Sequence, residues 1–215
     1  MKRIIIALVA VFMLQDVLST ADAQGLLTRK EYKGRKETSA YMQGAVPEEN
    51  GKVVFRQKIV TDAKTKEQVF RNLQQWLSLR YMANTTQGEW TDPTFYKNQE
   101  FAQVKEADAA TGHFLCQGDE ELVFASRALV YDATKFRYVL EVNVQADGVE
   151  AVVRNIDYTY MLTDAPQRIE AEDWITDKEA FSSKGKLLKV SAKFRIKTID
   201  AIEALFSEIG KAANK

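Results

Sequence analysis

The sequence predicts an α+β fold: a curved antiparallel sheet with helices packed on one face, in the order β-α-β(4-5)-α. Three observations predict it. Residues 101–162 are written almost wholly with a period of two, amphipathic helical patterns stand before and after that stretch, and the connections inside it are too short for parallel crossovers. Composition agrees, because 46% hydrophobic residues and only 3 Pro in 215 residues exclude a disordered or collagenous chain. A single Cys excludes an intramolecular disulfide scaffold.

Taken in chain order, the first signal is at the amino terminus. Lys2 and Arg3 precede an apolar run over residues 4–14, and Ala21-Asp22-Ala23 places small residues three and one before a cut ahead of Gln24. That is the pattern of a cleaved secretory signal peptide over residues 1–23. The run would rise roughly 16 Å, short of the about 30 Å of bilayer hydrocarbon, so it reads as an export signal and not as an anchor. The residue after the cut is Gln24 and the one thiol is Cys116, so a lipoprotein is not expected. No other stretch is long enough to span a membrane, and we expect a periplasmic or secreted product. Residues 24–45, with Lys30, Lys33, Arg35 and Lys36 among small residues, read as a flexible leader.

The domain is expected over residues 46–165. Val53, Phe55 and Ile59 alternate with Val54, Arg56 and Lys58 as in a half-buried strand. Thr65 and Gln68 make a capping box, and Val69, Phe70, Leu73, Trp76, Leu77 and Tyr81 follow at helical spacing, so residues 66–82 should form a helix. After a polar loop over residues 84–93, strands are expected near residues 101–109, 113–117, 122–124, 135–145 and 149–162. The fourth alternates best, with Phe136, Tyr138, Leu140, Val142 and Val144 on one face. Asp147-Gly148 supplies the next hairpin turn. Residues 166–215 read as a helical extension on or beside the sheet. In it Thr176 and Glu179 form a second capping box, and Thr198 caps a last helix whose face is Ile199, Ile202, Leu205, Phe206 and Ile209.

Three segments carry a resemblance: residues 41–59 (YMQGAVPEENGKVVFRQKI), Asn155-Ile156-Asp157-Tyr158, and residues 171–200 (AEDWITDKEAFSSKGKLLKVSAKFRIKTID). Together they make the chain resemble a secreted family of Bacteroidota whose members carry a domain of unknown function with a TBP-like fold. The resemblance implies a TBP-like curved sheet with helices on one side. It brings no catalytic residues, and DNA binding does not follow from a fold name. A helix-grip fold, with a long C-terminal helix over an apolar cavity, is the alternative architecture.

The chemistry available is narrow. The 30 Lys and Arg balance the 30 Asp and Glu, and loss of residues 1–23 removes two of each, which argues against a nucleic-acid partner. His113 and Cys116 are the one imidazole and the one thiol, but three residues apart in a strand they point to opposite faces, so Cys116 is expected to be buried with Phe114. Asp119-Glu120-Glu121 reads as a solvated turn. No nucleophile elbow, H-E-x-x-H or phosphate-cradling glycine loop is present, and neither cofactor nor metal site is expected.

Two groups of residues remain as candidates for partner binding. Lys186, Lys189, Lys193 and Lys197 fall on one face if their segment is helical, a stripe that the acids just upstream could instead neutralise. Tyr158 and Tyr160, with Tyr131, Tyr138 and Trp174, lie in or beside the late strands, where core packing competes with stacking on a ligand. The reading favoured by export and by the missing catalytic signatures is a non-catalytic binding module for a protein, peptide or envelope component. One alternative is a hydrolase or isomerase using a carboxylate pair in a cleft. The other is a structural assembly accessory, whose sign would be a large exposed apolar patch.

Overall fold

The computed structural model describes residues 38–62, 65–83, 102–127, 130–161 and 165–215. The expected signal peptide at 1–23 with its cut at Ala23, leader residues 24–37 and the loop at 84–93 lie outside the described residues.

A short ribbon of β1 (Glu48–Glu49) and β2 (Lys52–Val53) leads into β3 (Phe55–Ile59). Asn50 and Gly51 turn it with φ of 52° and 75°, the left-handed pair that a tight hairpin requires. Helix α1 (Lys66–Ala83) starts at the anticipated box: the Gln68 N–H donates to Thr65 Oγ1 at 3.3 Å, and the Thr65 N–H donates to Gln68 Oε1 at 3.0 Å. Strands β4 (Gln103–Asp108), β5 (His113–Arg127), β6 (Val130–Gln145), β7 (Gly148–Met161) and β8 (Pro166–Glu170) follow, then α2 (Asp177–Ala180) and α3 (Lys189–Ala213). Among the described residues no helix is long and apolar enough to cross a membrane.

All pairings are antiparallel, in the order β3-β7-β6-β5-β4, and β8 lies beside β3 along the same edge of β7. β5 is one strand where the sequence pattern suggested two. Asp119 and Glu121, expected in a turn, sit opposite Arg137 and Lys135 of β6, so cations on another strand hold the acidic run in the sheet. Glu120, facing the helices, accepts from Arg80 Nη2 at 2.8 Å and from the Tyr138 hydroxyl.

Helices α1 and α3 cover one face. Val69, Phe70, Leu73, Leu77 and Tyr81 of α1 are buried, and the Phe70 and Phe114 rings stack at 4.3 Å. Phe194 of α3 lies 4.7 to 5.2 Å from the rings of Phe124, Tyr158 and Tyr160. Residues of α3 from Phe194 to Ala213 pack over the sheet, so among the described residues the long C-terminal helix rests on packed side chains.

The region after residue 165 differs from its expectation in three ways. It opens with a strand, β8, instead of a helix. The last helix starts at Lys189, and Thr198 is buried in its middle with its hydroxyl 2.7 Å from that of Tyr158. Thr176 spends its hydroxyl on the Glu172 carbonyl at 3.1 Å, so the second capping box does not close and α2 is only 4 residues long.

Residues 38–45, expected in the leader, are also part of the folded unit. Thr38–Tyr41 is a 3-10 helix, and Arg195 binds the carbonyls of Tyr41 (2.7 Å), Met42 (2.6 Å) and Ile175 (2.5 Å) as well as Asp177 Oδ1 (2.7 Å). Asp177 Oδ2 accepts from the Gly44 N–H at 2.6 Å, and the Tyr41 hydroxyl reaches Asp200 at 2.8 Å. The Arg195 guanidinium is fully buried over the Phe181 ring, so every nitrogen needs the partner it has.

Candidate functional site on the bare face of the sheet

The six residues singled out from the sequence do not form one surface. Lys186 precedes α3, in a turn where its carbonyl accepts from the Ser182 N–H at 2.8 Å, so the helical stripe begins only at Lys189. Lys189 and Lys197 are exposed on α3. Lys193 turns back to the sheet, its Nζ 2.9 Å from Asp132 Oδ2, 2.6 Å from the Tyr160 hydroxyl and 4.3 Å above the Tyr160 ring. Lys193 and Tyr160 therefore meet, as parts of a closed ion pair. Burial and the bond to Asp132 hold the Tyr160 phenol above its ordinary range. Tyr158 is fully buried with its hydroxyl on Thr198, which removes it from any contact with a ligand.

Cys116 is fully buried, and burial pushes its thiol up to about 12. Its strand pairs without a break from His113 to Val123, so His113 stays on the other face and the two cannot form a dyad. Among the described residues no three His, Cys, Asp or Glu side chains are grouped to hold a metal.

The face of the sheet turned away from the helices carries the most developed polar arrangement. It is a concave depression of about 400 Å³ lined by Gln117, Arg137, Tyr138, Val139, Asn155, Asp157 and Arg168. A bulge in β7 shapes it. Arg137 pairs with Asp157 and Val139 with Arg154, so two residues of β7, Asn155 and Ile156, face one residue of β6. Asn155 takes φ of 52°, a left-handed conformation that Asn tolerates better than most residues.

The bulge reverses the alternation of the strand. Before it Val149, Ala151 and Val153 point into the core; after it Ile156, Tyr158 and Tyr160 do. Asp157 therefore faces outward in the floor of the depression, with β3 pairing above it on β7 and β8 below.

Asp157 holds two guanidinium groups. Arg137 donates from Nε at 3.0 Å and Arg168 from Nη2 at 3.0 Å, one to each carboxylate oxygen. Neighbouring charges pair elsewhere: Lys52 with Glu170 at 3.2 Å and Glu172 at 3.9 Å, Arg56 with Glu150 and Glu49, each at 3.3 Å, and Arg154 with Glu141. Asp119 lies across β6 from this group, with Arg137 opposite it in register. Its Oδ1 is buried without a hydrogen bond, and burial raises its carboxyl above the ordinary range while Lys135 and Arg137 oppose that rise. The arrangement offers hydrogen-bond donors in excess, amides from Gln117 and Asn155, and no nucleophile.

Of these residues only Tyr138 stood among the candidates read from the sequence, and its ring belongs to the helix side. One signal was readable: the apolar phase slips between Val153 and Ile156, which places a bulge at residues 154–155 beside Asp157.

Comparison with known proteins now identifies the family. Residues 55–159 match the model of a domain of unknown function (DUF4468) with TBP-like fold. A DUF4468 family protein from Bacteroides ovatus ATCC 8483 shares 30% identity and superposes with a TM-score of 0.70, over 84% of this chain and 97% of that one. The chain belongs to the DUF4468 family. A TBP-like protein from Parabacteroides distasonis ATCC 8503, 20% identical over 78% of this chain and 96% of that one, has a TM-score of 0.61 and shows the shared fold. No curated protein matches the chain. Within this DUF4468 protein, two of the segments that carried the resemblance meet at the Arg195 clamp, and the third is the β7 bulge.

Proposed function

We propose that the protein is a non-catalytic binding module whose contact surface is the bare face of the sheet. Its partner is a protein, peptide or envelope component met in the periplasm or outside the cell, after export and cleavage ahead of Gln24. One observation carries the reading: the polar depression around Asp157, which is open and shaped by a backbone irregularity while the opposite face is sealed by two helices. The segment at residues 38–45 runs along α3, on the sealed side, and leaves this face clear.

A photo-crosslinking residue at position 139, in the depression, and another at 203, exposed on α3, test it in intact cells. The reading expects adducts from 139 and none from 203; adducts from 203 alone overturn it. Mass spectrometry of the native protein should find Gln24 at its amino terminus, and an intact Met1 would end the export proposal.

A carboxylate-pair enzyme is favoured by one observation, the buried unbonded oxygen of Asp119 near Asp157. Turnover of any substrate that stops in both Asp119→Asn and Asp157→Asn would replace the binding reading with that one. The exposed large apolar side chains Val60, Leu79, Val130, Tyr131 and Met161 come from four different elements or their flanks, which gives an assembly role less support.

A further inference from the structure

We propose that the depression receives a carboxylate group of a peptide, gripped by Arg137 and Arg168; this rests on the sheet face being the contact surface. The charge balance of the lining comes first. Arg137 and Arg168 share one carboxylate, Asp157, so the lining itself carries one positive charge more than it neutralises. Around it Lys52 is shared by Glu170 and Glu172 and Arg56 by Glu49 and Glu150, while Asp119 is flanked by Lys135 as well as by Arg137.

The donor balance agrees. Arg137 commits Nε to Asp157 and Nη2 to Asp157 and Thr159, and Arg168 commits one Nη2. Among the described residues, Nη1 of Arg137 and Nε and Nη1 of Arg168 bond to nothing else. Asp157 thus acts as a spacer: it is 9% exposed, spends both oxygens, and fixes two forks with N–H groups to spare. A planar oxyanion with two acceptor oxygens completes such a pair of forks.

The rest of the lining selects the carrier. Asn155 supplies a side-chain amide, which matches main-chain N–H and C=O groups. A sugar acid would look for an aromatic platform, and the lining has none to give. The Tyr138 ring points to the helix side, so close to Gly118 that a Cβ there would lie 2.2 Å from its Cζ.

The test uses the chain from Gln24 onward, labelled with ¹⁵N and titrated with four probes. These are acetyl-Ala-Ala-Ala with a free terminal carboxylate, acetyl-Ala-Glu-Ala amide, acetyl-Ala-Ala-Ala amide, and sodium acetate. Saturating shifts of the Arg137 and Arg168 Nε–H signals and the Asn155 side-chain amide are expected with the first or second probe, which tells a terminal carboxylate from a side-chain one. Arg168→Ala should weaken that binding about tenfold or more, and Lys197→Ala should leave it unchanged.

Equal binding of the neutral amide, undiminished binding by Arg168→Ala, or acetate matching the peptides would each overturn the proposal. A cellular adduct at position 139 beside a flat peptide titration would sink the carboxylate assignment alone. Loss of both would remove the surface itself.

Discussion

Arg195 and Arg168 each grip one aspartate, on opposite sides of the same sheet, and their surroundings give the two pairs different work. Arg195 is fully buried and divides its donors among three carbonyls and Asp177, joining residues 41–44, the 171–181 segment and α3. Arg168 keeps 65% of its side chain exposed and gives Asp157 a single bond. What separates a structural cation from an available one here is what covers it: α3 and the chain segments packed on it close over Arg195, and nothing among the described residues closes over Arg168.

The largest expected effect breaks the sealed side. Arg195→Met strands the Ile175 carbonyl in the interior and unpairs two part-buried carbonyls and the half-buried Asp177 carboxylate, and should cost about 3 kcal/mol in chemical denaturation. Lys at the same position should rescue little, because one ammonium cannot reach four acceptors set for a planar fork. A cost under about 1 kcal/mol would erase the contrast between the two arginines.

Next comes the floor between the faces. Gly118→Ala drives a methyl into the Tyr138 ring, whose hydroxyl is tied to Glu120 and lies 3.3 Å from that of Tyr81, and should cost about 1–3 kcal/mol by the same measurement.

A smaller effect, readable by pH, sits on the bare side at Asp119. Burial raises its carboxyl in the folded chain, so the native state holds that proton more tightly than the unfolded chain does. Stability from this group is full below the ordinary carboxylate range and is lost as pH rises through the higher folded value. Asp119→Asn should therefore be the more stable protein at neutral pH, with the advantage shrinking on acidification; an advantage that grows on acidification would contradict the assignment.

Smallest of all, Arg168→Ala should change unfolding free energy by no more than about 1 kcal/mol, as for an exposed ion pair. Thermal or denaturant curves superimposing on those of the parent would sharpen the comparison, since any loss would then appear in binding alone.

What could be read in advance divides along similar lines. The capping box at Thr65 and Gln68 and the strict alternation from Phe136 to Val144 are local patterns, and α1 and β6 formed as expected. Asp119-Glu120-Glu121 looked like a turn because Lys135, Arg137 and Arg80, which keep it in a strand, come from elsewhere in the chain. Thr198 looked like a cap because its partner, Tyr158, is 40 residues away. Arg195 stands between Lys193 and Lys197 in a basic stretch, and only the approach of Tyr41, Met42 and Asp177 makes it interior. The candidate site was hidden for the same reason: its residues come from four strands.

Asn155 also governs which heritable changes β7 can absorb. Gly at this position would take its φ angle as easily, at the loss of one amide from the depression. Loss of one residue from 154 to 156 would instead restore one-to-one pairing with β6, leaving Val149, Ala151 and Val153 on one side of the break and Tyr158 and Tyr160 on the other still turned to the core, and Asp157 still outward, so only the kink beneath the depression would go. Relatives can therefore differ here by one residue in length, and an alignment gap opening within these three positions would mark a protein that has kept its core and straightened the strand beneath its receptor.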